Sequence, residues 1–192
     1  QINWIDPAGY SNAGAFPSAV LASVNGPDTL VYELTANGLE RVGEQKRVVA
    51  LGTYDLKITH SNALLDLKLP LTYAGTWTDQ VEGTVVSGAS SGGRNGVLQG
   101  TADGYGTLRL PGLDPVPVLR VHTILQETIS IPIGGSPTNV SHKHRQYDYY
   151  VSWQKAPVMS IYTDTMSVTT PLAYTVANNG IRYMSAASVG VS

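Results

Sequence analysis

Cysteine is absent from the chain, which excludes disulfide bonds, thiolate metal ligands, a cysteine nucleophile and a lipid anchor on cysteine. Charged residues are scarce: they make up 14% of the sequence, against about 25% in an average soluble domain. The net charge is −2 and no basic stretch stands out, so nucleic acid is not expected as a partner. No apolar run approaches the about 20 residues of a transmembrane helix, so no transmembrane segment is predicted.

Familiar catalytic motifs are missing as well. The sequence contains no Gly-x-Ser-x-Gly and no His-Glu-x-x-His, and the Gly/Ser-rich residues 87–96 lack the lysine of a phosphate-binding loop. Two carboxylates close in space could form a glycosidase pair, but nothing selects two from the five in or near predicted strands: Asp66, Asp79, Glu82, Asp103 and Glu127. A turn that opens at Asp103 explains that residue better. We therefore predict a protein that is not an enzyme and has no cofactor.

What the sequence does contain is a series of short alternating segments typical of β-strands. Residues 102–123 organise the chain: two extended runs flank a segment whose prolines exclude a helix. Residues 30–42 predict a hairpin that turns at Asn37 and Gly38, with a type I′ turn favoured. Residues 87–96 are expected to be a flexible connection between strands.

The predicted fold is all-β. No segment of three helical turns has a 3.6-residue period, and 42% of the residues are apolar, enough to form a core. We expect an antiparallel β-sandwich or a partly open barrel with many short strands and little or no helix. The predicted organisation is an extended N-terminal arm over residues 1–23, followed by a single all-β domain over residues 24–192. In the arm, Ile2, Trp4 and Ile5 are the candidate assembly residues.

Histidines on one later strand are the candidate metal ligands. His142 and His144 are two residues apart, so they point to one face, a spacing that can chelate a metal, and His60 and His122 could join them. Basic residues flank the pair, however, and no carboxylate has matching spacing before Asp148. The favoured interpretation is a solvated strand face, with no metal predicted.

Aromatic residues on the same strand form a candidate contact surface. Tyr147, Tyr149 and Trp153 share the face opposite the histidines, and Tyr150 lies with the histidines. An exposed row of rings could stack on sugars or form a protein interface. Packing of the Tyr147 face into the core is the favoured alternative.

Part of the sequence resembles a known family. TYDLKITHSNALLDLKLPLTYAGTWTD (residues 53–79), followed by TADGYGTLRLPG and VLRVHT, resembles a recurrent secreted module of Bacteroidota, in which LLKFPLTYGTSWTD precedes ADGYGTLILPNGTYNNVLRVKT. The similarity covers residues 51–161, and the segment LPGLDPVP departs from the Gly-Thr-Tyr turn of the family. Members are typically exported with a C-terminal type IX sorting domain, which is not evident here. The resemblance assigns no biochemical function, so no catalytic residues carry over.

The resemblance also implies a modification and a location. Bacteroidota glycosylate exported proteins at Asp-Ser/Thr-hydrophobic triplets, and two such triplets make Thr29 and Thr165 candidate O-glycosylation sites. The first residue is Gln1 rather than Met, which suggests the removal of a signal peptide, although a sequence shortened for another reason would begin in the same way. We expect a secreted protein, extracellular or on the outer cell surface.

Two functions remain open after the sequence is read. The first is a non-enzymatic structural protein that forms a filament or a surface layer from copies of itself, through strand edges or the N-terminal arm. Its expected partner is a second copy, as a homo-oligomer or homopolymer. The alternative is an extracellular module that binds a lipid or a glycan, or mediates adhesion. We expect the first.

Overall fold

A computed structural model describes residues 3–9, 13–49, 53–111, 114–133, 135–154, 156–169 and 173–183. This part of the chain is all-β, as predicted, and its helices are two single 3-10 turns, Pro7–Gly9 and Ala13–Ala15. None of the described helices has the length and apolar character to cross a lipid bilayer. The strands are β1 Asn3–Ile5, β2 Leu21–Asn25, β3 Asp28–Leu34, β4 Gly38–Val49, β5 Thr53–Lys68, β6 Thr76–Ser87, β7 Ser90–Leu108, β8 Val116–Ile133, β9 Ser136–Tyr150, β10 Met159–Val168 and β11 Tyr174–Tyr183.

All of these strands belong to one antiparallel sheet. The strand order follows the chain from β1 to β11, so each strand pairs with the next in a simple meander. The antiparallel all-β prediction is confirmed, and a single sheet agrees with a partly open barrel rather than with two stacked sheets. The strands from β4 to β9 are 12 to 19 residues long. These strands are longer than the short strands that the frequent glycines and prolines of the sequence led us to predict.

The sheet curls strongly, and its concave face becomes an interior. Arg94 on β7 contacts Glu44 on β4, three strands away, although strands in a flat sheet lie about 4.8 Å apart. Burial raises the pKa of Tyr32 on β3, and negative charges, including that of Asp148 on β9, add to the rise. Side chains on distant strands therefore meet inside the curl.

The concave face has three zones along the strands. One apolar cluster contains Leu64, Leu67, Trp77, Val81, Leu98, Ala102, Val121 and Leu125. A second contains Leu56, Ile58, Val85, Ile129, Ile131, Val140 and Val168. On β8, Leu125 belongs to the first cluster, Ile129 to the second, and Glu127 lies between them. A polar zone therefore separates the two apolar clusters.

The prediction of a flexible connection at residues 87–96 is wrong. β6 continues to Ser87, a tight turn follows, and β7 begins at Ser90. Two of the four glycines of this segment, Gly92 and Gly96, lie where neighbouring backbone comes close. A Cβ on Gly92 would be 1.9 Å from the carbonyl oxygen of Ser130. A Cβ on Gly96 would be 2.3 Å from the carbonyl oxygen of Gln126. These glycines permit close strand packing rather than flexibility.

Two smaller turn predictions have mixed outcomes. The hairpin between β3 and β4 is confirmed. Gly38 has a positive φ and Asn37 does not, so the turn is not of type I′. The prediction that Asp103 opens a turn is wrong: Asp103 lies inside β7 at a register shift, and its carboxylate binds Arg120. The ion pair and the bulge explain the acidic residue next to glycine.

The described part of the predicted arm lies on the sheet. Asn3 to Ile5 pair with residues 22–24 of β2, so this segment forms the first strand of the meander. Trp4 is in that strand, Ile5 is half-buried, and Ile2 lies outside the described residues. Phe16 packs on Val31. The domain boundary at residue 23 stays a prediction, but β1 is an edge of the sheet rather than a detached tail.

Candidate functional site

The centre of the polar zone is an arginine between two carboxylates. The side chain of Arg94 is fully buried and donates from Nη1 to Glu44 and from Nε to Glu127. Burial alone would lower the pKa of Arg94, but the charges of Glu44 and Glu127 raise it above its usual value. A buried cation thus neutralises carboxylates from β4 and β8 at once.

On the β4 side, Glu44 gathers further donors. Arg41 donates to Glu44 over 2.9 Å and binds Asp66 through two contacts of 2.8 and 2.7 Å. His60 Nε2 lies 3.1 Å from Glu44 Oε1. Burial alone would raise the pKa of Glu44, but the arginines and the bond with His60 hold it well below its usual value. Among the described residues, Arg94 Nη2 and His60 Nδ1 have no hydrogen-bond partner.

On the other side, Glu127 leads to the two histidines of β9. His142 is buried, with Nδ1 2.5 Å from Glu127 Oε1 and Nε2 2.5 Å from Asp164 Oδ1. His144 Nδ1 lies 3.0 Å from the same oxygen of Asp164. Burial alone would raise the pKa of Asp164, but its hydrogen bonds with both histidines hold it far below the usual range. Asp164 is therefore an anion shared by two imidazoles.

The chain of contacts continues along β9. His144 Nε2 lies 2.9 Å from Gln146 Oε1, and Gln146 Nε2 donates to both oxygens of Asp148 over 2.8 and 2.7 Å. Ser160 donates to Asp148 over 2.5 Å. Burial raises the pKa of Asp148 to about 6, although the bonds from Ser160 and Gln146 act in the opposite direction. Because Asp148 receives the amide nitrogen, the oxygen of Gln146 faces His144.

The prediction of a solvated histidine face is wrong. The His142 side chain is 1% exposed and that of His60 is 0% exposed. The carboxylates that accompany the histidines come from β8 and β10, where Glu127 pairs with His142 and Asp164 with His144 in register. Spacing along β9 could not reveal partners on other strands. One local signal existed: Glu127 shares the strand face of apolar residues at positions 125, 129 and 131.

The other histidine, His122, does not join this group. It lies half-buried on the convex face, where its ring stacks on Tyr147 with centroids 4.3 Å apart. Arg120 lies over the same Tyr147 ring at 5.2 Å. Tyr147 and Tyr149 are half-buried on this face, so the favoured core packing of the Tyr147 face is wrong. Inward positions of β9 are the even-numbered ones, set by the buried residues Val140, His142 and Asp148.

The four predicted aromatic contact residues do not form one surface. Tyr150 points to the concave side and packs against the first apolar cluster, while Tyr147 and Tyr149 point outward. Trp153 follows β9 and is 58% exposed. The aromatic row of the sequence is therefore divided between the two faces of the sheet.

The five predicted carboxylates and the two candidate glycosylation sites are also dispersed. Of the carboxylates, Asp66 and Glu127 belong to the polar network, Asp79 accepts the backbone N–H groups of residues 65 and 80, Asp103 binds Arg120, and Glu82 is exposed. Thr29 is buried in β3, so the folded chain does not present its hydroxyl. Thr165 is half-buried in β10.

Three residues of the network form a group with metal-ligand chemistry. His142, His144 and Asp164 each offer one ligand atom, and these atoms all lie within 4.8 Å of one another. Comparison with known proteins gives no independent guide to this site, because no protein family, curated protein or solved structure matches the chain.

Proposed function

We propose that this chain is a secreted, non-enzymatic structural protein that assembles with copies of itself by pairing the open edges of its sheet. The observation that carries the proposal is the meander itself. In the described part of the chain, β1 and β11 are the two ends of the strand order, and each pairs with one neighbour. An edge strand has a row of backbone donors and acceptors that another strand can use.

The β11 edge has few of the features that protect natural edges. Its ten residues pair with β10 without a register shift, and the strand contains no proline and no lysine. Three large apolar side chains on it are exposed: Val176 by 39%, Ile181 by 64% and Tyr183 by 52%. Arg182 is the one charged residue of this strand. An edge strand that has no bulge and exposes apolar side chains favours the addition of a further strand.

The two edges differ, which determines the kind of assembly. β1 has three residues and β11 has ten. When the β1 edge of one copy pairs with the β11 edge of the next, the contact is head-to-tail, and its repetition gives an open filament where the rotation between copies does not close a ring. The low charge of the chain favours such close packing of copies. The resemblance to secreted Bacteroidota proteins supports the extracellular location.

The alternative of a lipid-binding module has less support. Such a module needs an apolar cavity, whereas the middle of the concave face contains buried ion pairs around Arg94. A glycan-binding surface would need its aromatic rings on one face. The described tyrosines of β9 lie on both faces.

Two lysines on the β11 edge should prevent assembly without unfolding the domain. We expect the double variant Val176→Lys, Ile181→Lys to run as a monomer of 20.4 kDa in light scattering, because a strand that pairs with this edge would have to desolvate both lysine charges. Leu34→Lys is the matched control, since Leu34 is 52% exposed but lies on a strand inside the sheet. The control should assemble like the native chain. Assembly of the double variant to the native size would contradict the proposal.

A further inference from the structure

We propose that His142, His144 and Asp164 form a binding site for a divalent transition-metal ion of the zinc class. The site is independent of the proposed assembly, because these residues lie on β9 and β10, and their contacts are on the concave side. Two imidazoles and one carboxylate are a donor set that suits Zn²⁺ and its neighbours in the first transition row.

The first argument is the direction of the lone pairs. Gln146 turns its oxygen to His144 Nε2, so that nitrogen carries the proton and the lone pair of the neutral ring is on Nδ1. Glu127 accepts from His142 Nδ1 in the same way, which places that lone pair on Nε2. Both lone pairs then face Asp164 Oδ1, at 3.0 and 2.5 Å. Three acceptors that converge on one point need positive charge between them.

The donor set and its closeness favour a metal ion, since the three ligand atoms all lie within 4.8 Å of one another. Two atoms bound to a tetrahedral zinc lie about 3.3 Å apart, because each bond is about 2.0–2.2 Å long. His142 Nε2 and Asp164 Oδ1 are 2.5 Å apart, which is a hydrogen-bond distance. Binding of the ion therefore moves the Asp164 carboxylate outward by about 0.8 Å and replaces the proton of this hydrogen bond.

The surroundings match those of known zinc sites in two further respects. A metal-bound histidine commonly donates its second N–H to a carboxylate or an amide oxygen, which fixes the ring and increases its basicity. Here Glu127 accepts the second N–H of His142, and the amide oxygen of Gln146 accepts that of His144. His144 and Asp164 are 25% and 19% exposed, so the ion can enter from solvent and water can complete the coordination.

One neighbouring charge opposes the ion. Lys46 on β4 is half-buried and close enough that its charge contributes to the low pKa values of Glu127 and Asp164. Its ammonium group is on a flexible four-carbon chain and can turn toward solvent when a cation binds. We expect Lys46→Met to bind zinc more tightly than the native chain. The variant changes charge near the site but removes no ligand.

Zinc titration of the chelator-treated protein tests the site. We expect one Zn²⁺ per chain in competition with a chromophoric chelator at pH 7.5, and intense visible bands from four-coordinate Co²⁺. Asp164→Asn and His144→Ala should each weaken zinc binding at least 100-fold. His122→Ala, on the convex face, should bind like the native chain. Circular dichroism verifies that the variants remain folded.

The variant Gln146→Leu distinguishes a metal site from histidines that only share a proton with Asp164. Gln146→Leu keeps all three ligands and removes only the group that orients His144, so zinc should bind about 10- to 100-fold more weakly. Absence of zinc binding by the native chain at 100 times the protein concentration would overturn the proposal. Unchanged zinc affinity in Asp164→Asn would also overturn it. Either result would assign the positive charge at this point to protonated histidines.

Discussion

Replacement of Arg94 by Met is expected to lower the free energy of unfolding by about 3–5 kcal/mol, the usual cost of removing one partner from a buried ion group. Arg94 is the cation between Glu44 and Glu127, and the three side chains are at most 1% exposed. Without it, both carboxylates stay in an interior that water does not reach. The loss should be visible as a lower urea midpoint at constant m-value.

A surface ion pair of the same type provides the control. Arg47 binds Asp55 over 2.7 Å, but their side chains are 44% and 50% exposed. Arg47→Met should therefore cost far less stability than Arg94→Met. A triple variant, Arg94→Met with Glu44→Gln and Glu127→Gln, should recover part of the loss because it removes the uncompensated charges. If Arg94→Met and Arg47→Met have equal stabilities, the network is not a buried ion group of the kind described.

The second large effect concerns pH and Asp148. Burial raises its pKa from 3.8 to about 6, so the folded state binds the proton more tightly than the unfolded state. A raised carboxyl pKa contributes stability at low pH, and that stability is lost as the pH rises through 6. A pKa difference of about two corresponds to about 2–3 kcal/mol between pH 4 and pH 8.

Asp148→Asn isolates this contribution, because asparagine does not titrate. We expect the difference in unfolding free energy, variant minus native, to rise by about 2–3 kcal/mol from pH 4 to pH 8. Two groups near Asp148 act on its pKa in opposite directions: Asp66 raises it and His144 lowers it. Asp55→Asn, at an exposed position, should show no rise of this size. If the difference in unfolding free energy does not change between pH 4 and pH 8, the pKa of Asp148 is not raised in the folded state.

The fold class was predictable from the sequence because it depends on local patterns. Alternation, turn residues and the absence of a helical period are properties of neighbouring residues, and they indicated an antiparallel all-β chain. The same local approach failed at residues 87–96. There, glycines that allow close contact with β8 have the same composition as a flexible linker.

The candidate site was less predictable, because its partners come together only through the curl of the sheet. His142 meets Glu127 and Asp164 from strands on either side of β9, and Arg94 reaches Glu44 across three strands. No spacing rule along one strand contains this information. Strand alternation does place Glu127 on the face of apolar residues 125, 129 and 131, and a buried acid on such a face needs a cation or a donor. On β9 the two faces were assigned the wrong way round, so the face of Asp148 was expected in solvent.

The buried polar network around Arg94 should also affect the register in which the described strands pair. A slip of one residue moves each side chain to the other face of its strand. Glu127 on β8 and His142 on β9 are paired in register. A slip of either strand by one residue would turn one of the two side chains to the convex face and bury an outward-facing residue in its place. We expect the polar zone between the two apolar clusters to help fix the register of the strands. Arg94→Met should therefore show increased hydrogen exchange in β7 and β8. Unchanged exchange in both strands would contradict that role.

The most direct test of the proposed function is the mass and shape of the native chain as its concentration is raised. Light scattering with negative-stain imaging should show linear assemblies that lengthen with concentration, since each head-to-tail contact leaves one β1 edge and one β11 edge open to further copies. A particle that stays at 20.4 kDa across that range would contradict the proposed self-assembly.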